Sequence, residues 1–133
     1  MRHRLILIDA EPADIKQMSA VIGSAFPQCK LEIFHDGANA LQFFHEYQTG
    51  HDRTDISLTV LNLKLPRFGG HDLLRHIRSK DITRRIPLIV LTENTDPKEA
   101  EQAYGLGATN VIVKSDGYLD SLRTIIYSVL TSA

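Results

Sequence analysis

The sequence has no tryptophan and only one cysteine, Cys29, among its 133 residues. A single thiol cannot close an intramolecular disulfide, so the core alone must hold the fold, and a reducing cytoplasm is the expected compartment. Neither sign of charge is in excess. The 15 Lys and Arg residues face 16 Asp and Glu, a formal net charge of -1, which carries no electrostatic footprint for nucleic acid or anionic membrane. Arg84-Arg85 is too short a basic cluster to change that. Long apolar runs are also missing. The first, Leu5 to Ile8, stops at Asp9, too soon for a signal-peptide core or a membrane span, so Met1-Arg2-His3-Arg4 reads as a basic lead-in to a buried strand. Metal motifs are absent as well: Thr49, not His, stands four residues after the His of His45-Glu46, and His71 and His76 do not share a helix face. The 6 histidines therefore read as scattered surface residues. There is no Gly-rich phosphate loop, and no nucleophile is paired with a base, which excludes a nucleotide site and a hydrolase.

What is present is a regular alternation of short apolar runs and helical stripes. Leu5 to Ile8 is a continuous run, as expected for a parallel strand covered on both faces. Pro12 opens a helix in which Ile15, Met18, Val21, Ile22 and Ala25 recur at helical spacing until Phe26-Pro27. Leu31 to Phe34 leads through His35-Asp36-Gly37 into a helix with a stripe of Ala40, Leu41, Phe44 and Tyr47, stopped by Gly50. Ile56 to Leu61 is a third strand. It breaks into the turn Pro66 to Gly70 before a helix carrying Leu73, Leu74 and Ile77. Ile86 to Leu91 is the fourth strand, and Asp96-Pro97 caps and starts a fourth helix with Ala100, Ala103 and Tyr104 inward, ended by Gly105 or Gly107. Asn110 to Val113 is the fifth strand, and Leu119, Leu122, Ile125, Ile126, Val129 and Leu130 line the last helix.

Strands alternating with helices over short loops predict an α/β fold, a five-stranded parallel sheet with helices on both faces and right-handed crossovers. The length suits one domain with a sizeable core, spanning 1–133 without an output domain. In such a sheet the carboxyl ends of the strands converge on one edge, where chemistry is placed. Here those ends supply Asp9, Ala10 and Glu11, then Asn62, Thr92 and Lys114. Carboxylates, one ammonium and one hydroxyl suit a phosphoryl group.

Over essentially the whole chain these residues resemble the receiver domain of two-component response regulators. Ile6 to Pro12 is similar to the family's first strand and acidic pair. Leu61 to Pro66 resembles the segment holding its phosphorylated aspartate. Ile86 to Thr92 resembles the strand ending in the switch hydroxyl, and Val111 to Lys114 the strand ending in the invariant lysine. Gly105-Leu106-Gly107-Ala108 matches the small-residue turn before it. The resemblance implies a CheY-like, flavodoxin-like (βα)5 sandwich of strand order 2-1-3-4-5, and phosphorelay signalling. It also marks departures. Asn62 stands at the phosphoacceptor position and Ala10 at a direct Mg²⁺ ligand. Val111 replaces the switch aromatic, Ser115 a proline, and Gly69 an acidic residue. Asp9, Thr92 and Lys114 are retained.

An amide cannot accept a phosphoryl group, and Mg²⁺ prefers carboxylate oxygens in near-octahedral array, so no cofactor is expected and Mg²⁺ affinity should be negligible. The expectation is a non-enzymatic interaction module in which Asp9 and Lys114 form a structural ion pair hydrogen-bonded to Asn62 and Thr92. The resemblance implies as partner a sensor histidine kinase, another regulator, or a second copy docked through the fourth helix, fifth strand and fifth helix, a face including Tyr104, Leu106, Arg123 and Tyr127. Two other readings stand beside it. Lys114 and Thr92 could hold a small anion without metal. Alternatively, Asn62 could be an engineered or deamidating aspartate, against which Ala10 and the bulky successor Leu63 argue.

Overall fold

The apolar run at the start of the chain forms the middle of β1 (His3–Ile8), and the remaining strands assemble on either side of it. The computed structural model describes residues 2–50 and 54–132; Met1 and Ala133, the ends of the expected domain, lie outside the described residues. After β1 come α1 (Pro12–Ala25), β2 (Cys29–Phe34), α2 (Gly37–Thr49), β3 (Leu58–Asn62), α3 (Gly70–Arg78), α4 (Asp81–Arg84), β4 (Leu88–Thr92), α5 (Pro97–Gly105), β5 (Asn110–Val113) and α6 (Tyr118–Leu130). The strands form one sheet in the order β2-β1-β3-β4-β5, with every pair parallel. This is the α/β, flavodoxin-like architecture expected from the sequence.

Because side chains alternate across a strand, the sheet divides the interior into two cores. Ile6, Ile8, Leu61, Leu88 and Val90 pack beneath Phe44, Leu73, Leu74 and Ile77 of α2 and α3. On the other side Leu5, Leu7, Leu58, Val60, Ile89 and Leu91 pack against Met18 and Ile22 of α1 and Leu122 and Ile126 of α6. Both faces of the central strands are thus covered, which explains their unbroken apolar sequence.

The helix punctuation follows local chemistry. Pro12 and Pro97 occupy first-turn positions, Asp36 accepts the Asn39 N–H to cap α2, Asp96 accepts the Lys98 N–H to cap α5, and Gly50 ends α2. Four expectations need correction. The short α4 was not foreseen, so the expected fourth and fifth helices are α5 and α6. Strands β3 and β4 begin two residues later than expected, at Leu58 and Leu88; at β4 this places Pro87, which has no N–H for the ladder, outside the strand. In α1, Ile15, Met18 and Ile22 are buried, whereas Val21 is half-buried and Ala25 exposed. Tyr104 is 49% exposed rather than inward: Ala103 takes the core-facing position of that turn, and the Tyr104 hydroxyl reaches the Val111 N–H at the sheet edge. Arg4, from the basic lead-in, is part of β1. Its side chain is 9% exposed, pairs with Glu32 at 2.6 Å, and lies over the rings of Phe43 and Tyr47.

Candidate functional site

The carboxyl ends of β1, β3, β4 and β5 meet at one edge of the sheet, and two backbone bonds fix the outer parts of that edge. Asp9 N–H donates to the Phe34 carbonyl at 3.1 Å, and Lys114 N–H donates to the Thr92 carbonyl at 2.7 Å. Asp9 is 0% exposed. Its Oδ1 accepts the Glu11 N–H at 2.9 Å and its Oδ2 accepts Lys114 Nζ at 2.7 Å. The expected ion pair is therefore present, but it has a third member. Lys114 Nζ also donates to Asp14 Oδ2 at 2.8 Å, with side-chain exposures of 4% for Lys114 and 27% for Asp14. Burial on its own pulls the Lys114 pKa down; the hydrogen bonds and charges of Asp14 and Asp9 outweigh it and hold the ammonium above its ordinary value. Beside this cluster lies Tyr118, whose buried hydroxyl has no hydrogen-bond partner among the described residues. Burial, then the charge of Asp14, pushes its pKa up.

Asn62 and Thr92 do not join the ion pair, which corrects the sequence expectation. Asn62, 4% exposed, closes on its own loop, its Nδ2 donating to the Lys64 carbonyl at 3.1 Å. The Thr92 hydroxyl donates to Glu99 Oε1 at 2.8 Å and accepts the Asn94 N–H at 3.0 Å. Asn94 Nδ2 holds the other oxygen of Glu99 at 2.6 Å, and Asn94 Oδ1 accepts the Asp96 N–H at 2.9 Å. The β4–α5 turn is thus tied from Thr92 to the first turn of α5. Sequence reading missed Asp14 and Glu99. Each had a signal: Asp14 is in the first turn of a helix that starts at the same edge, and Asp96-Pro97-Lys98-Glu99 has capping-box spacing. Glu99 turns to Thr92 and Asn94 because those groups, not the Asp96 N–H, lie open to it.

Between β3 and α3 the chain makes a tight turn. Gly70 N–H donates to the Leu63 carbonyl at 3.0 Å. A Cβ at Gly70 would lie 2.6 Å from Leu63 Cα and from its carbonyl oxygen, so only glycine lets α3 begin against the end of β3. Gly37 N–H donates to the Pro66 carbonyl at 3.1 Å and Arg67 pairs with Asp36 at 3.2 Å, seating the turn on the start of α2. The turn and the first strand end enclose a pocket of about 340 Å³ lined by Ala10, Glu11, Asn62, Lys64, Pro66 and Glu93, among others. Val111, half-buried on β5, donates its N–H to the Tyr104 hydroxyl at 3.1 Å.

The response regulator receiver domain family matches residues 5–126. The chain belongs to that family. Among relatives, the receiver is 29% identical over 96 residues to a probable methanogenesis regulatory protein, FilR2, from Methanothrix harundinacea, covering 72% of this chain and 61% of that one. It is 24% identical to response regulator Rcp1 of Synechocystis sp., covering 91% of this chain and 82% of that one. The matched length is under two thirds of FilR2 and less than half of several other relatives, such as 45% of the DNA-binding response regulator MtrA of Mycolicibacterium smegmatis. Among solved structures, the phosphorylated cyanobacterial phytochrome response regulator RcpA superposes with a TM-score of 0.83 at 23% identity, over 100% of this chain and 97% of that one. The Mn²⁺-bound form of Rcp1 gives 0.85 at 22%, over 98% and 97%. These likenesses carry the fold, and the family match carries the role, a receiver in two-component signalling. Receivers work with histidine kinases or other regulators. Among the described residues no helix is long and apolar enough to cross a membrane.

Proposed function

We propose that this receiver is not phosphorylated at the strand-end position and signals by protein–protein contact from one pre-set conformation. The observation that carries the reading is Asn62 at the end of β3, an amide bonded to its own loop. An amide oxygen is not a usable nucleophile toward a phosphoryl donor. The retained residues are engaged as well. Lys114 is held between Asp9 and Asp14, and the Thr92 hydroxyl is held by Glu99.

The site does not suit Mg²⁺. Both oxygens of Asp9 already accept hydrogen bonds, Ala10 has no ligand atom, and Asn62 is neutral. The reading therefore includes no cofactor and no enzymatic step, since no nucleophile is paired with a base. The same donor assignments count against a metal-free anion site, because the ammonium and the hydroxyl that would bind an anion already serve internal carboxylates. Signalling would pass through the face of α5, β5 and α6 to a sensor histidine kinase, another regulator or a second copy in the cytoplasm. Tyr104, 49% exposed, gives that face a large aromatic contact beside Leu106, whereas Arg123 and Tyr127, expected there from the sequence, line a groove with Ala25 and Phe26 at the end of α1. With Val111 at the switch-aromatic position, no aromatic of β5 rotates on activation.

A two-dimensional amide NMR titration with Mg²⁺ and then beryllofluoride tests this. The expected spectrum is unchanged at Asp9, Asn62, Thr92 and Lys114. Saturable shifts at these residues that spread into β5 would overturn the reading.

A further inference from the structure

Helices α1 and α6 each turn one face to the sheet, with Met18, Ile22, Leu122 and Ile126 buried there, and leave an open seam between their outer sides. Ala20, Ser24 and Ala25 of α1 and Arg123, Thr124 and Tyr127 of α6 are exposed along it. Three hollows that share lining residues run the length of the seam. One of about 630 Å³ reaches from Ala20 to Arg123, one of about 390 Å³ from Arg123 to Tyr127, and one of about 270 Å³ continues past Tyr127 to Pro27 and Leu130. Among the described residues lining them, Asp120 and Arg123 alone are charged and no Lys or Glu is present, in a chain of which 23% of residues are charged. Surfaces that bind protein are depleted of Lys and Glu and enriched in Tyr and Arg. The seam also carries a knob. Tyr127, at 62% the most exposed large hydrophobic residue among those described, stands between two of the hollows, and the short side chains of Ser24 and Ala25 leave it proud of the surface.

A two-fold contact uses the same patch on both copies, so that patch must hold both a projection and the hollow that receives it. This seam holds both. We infer that its occupant is a second copy of the chain, with Tyr127 of each copy seated in the 390 Å³ hollow of the other. An axis crossing α6 midway between Arg123 and Tyr127 lays the two helices antiparallel and sets each Tyr127 over the other copy's Arg123. The Arg123 guanidinium is 55% exposed, and its one partner among the described residues is Asp120 at 3.6 Å, so its face is open to a ring. A guanidinium over a tyrosine ring is attracted by the ring's quadrupole, the more so once water is excluded. None of the three hollows is lined by a residue of α5 or β5. A dimer formed here therefore leaves Tyr104 and Leu106 free for a partner of another kind. The inference goes beyond the proposed contact signalling and stands whether or not Asn62 is modified.

The test is sedimentation velocity of the full chain from about 1 μM to about 1 mM, with amide NMR spectra over the same range to locate the contact. A monomer–dimer equilibrium is expected, with concentration-dependent shifts at Ala25, Arg123, Thr124 and Tyr127 and none at Tyr104 or Val111. Tyr127→Ser should weaken the dimer by about thirtyfold, as loss of an aromatic anchor at an interface does. Arg123→Gln should weaken it by about tenfold, whereas Tyr127→Phe, which keeps the ring, should stay within about threefold. Both positions are exposed, so these variants keep the fold. Tyr104→Ser should leave the equilibrium where it is. A monomer at every concentration, growth beyond the dimer, or a dimer lost in Tyr104→Ser and kept in Tyr127→Ser would overturn the inference. A beryllofluoride response would overturn the unphosphorylated reading of Asn62 and leave this result as it stands.

Discussion

Removing the positive charge of Lys114 should expose how the buried edge is balanced. Lys114→Met leaves Asp9, 0% exposed, with the Glu11 N–H and no cation, and breaking a buried pair from one side costs about 3–5 kcal/mol. Asp9→Asn should cost a similar amount, since it leaves an ammonium with 4% side-chain exposure facing a neutral amide and Asp14. Asp14→Asn should cost less. A charge-assisted hydrogen bond is worth about 1.5–3 kcal/mol, and at 27% exposure water compensates part of it, leaving roughly 1–2 kcal/mol. The double variant Lys114→Met with Asp9→Asn removes both buried charges and should be milder than the sum of the singles by about 2–3 kcal/mol. Against a total stability of about 5–15 kcal/mol, these losses are a large fraction of the whole. Urea unfolding followed by far-ultraviolet circular dichroism is the assay, because the chain has no tryptophan to report. A coupling below about 0.5 kcal/mol between Asp9 and Lys114 would refute the buried-pair argument. So would Asp14→Asn costing as much as Asp9→Asn.

Gly70→Ala should lower stability by about 1–3 kcal/mol through overpacking against Leu63, seen as a fall in Tm, and a neutral result would mean the α3 start can shift. Stability should also fall on the acid side of the ordinary histidine value of 6.5. Burial, then the charges of His45 and Lys80, lowers the pKa of folded His76, so the unfolded chain takes up the proton first. The loss should level off once folded His76 itself protonates, and His76→Gln should remove that part of the pH slope in urea unfolding. Lys114 works at the other end. Its folded pKa is raised, so its contribution is complete below the unfolded value of 10.5 and is lost as pH climbs through the folded one. Lys114→Met should flatten that alkaline limb.

Most of the element order and most helix starts were legible in the sequence, because they depend on local periodicity and on residues such as Pro12, Asp96 and Gly50 that act within one turn; the strand order came with the family resemblance. The strand-end residues were legible for the same reason, as each follows directly on an apolar run. What escaped depends on approach between elements. Asp14 meets Lys114 only because α1 crosses above the sheet edge, 100 residues away in sequence, and Glu99 meets Thr92 only once the β4–α5 turn folds back. Asn62 and Thr92 looked like partners of Asp9 and Lys114 by position; the Lys64 carbonyl and the Glu99 carboxylate lie open to them instead. The four residues of α4 are too few to show a period. Their place in the fold rests on Thr83, whose buried hydroxyl donates to the Ile77 carbonyl and accepts from Gln48.

The bond from Val111 to the Tyr104 hydroxyl bears on how two copies could meet. Strand β5 is the last of the sheet, and a terminal strand is a template onto which a foreign strand can add through its vacant backbone groups. Here the Val111 N–H is capped by a phenol from the neighbouring helix, and the Val113 carbonyl is taken at 2.8 Å by the Ser115 N–H. Two of the backbone groups that a foreign strand would need are thereby already taken. A strand adding here would first have to break both bonds, so contact between side chains is the less costly way for two copies to meet on this side, and it forms no continuous stack.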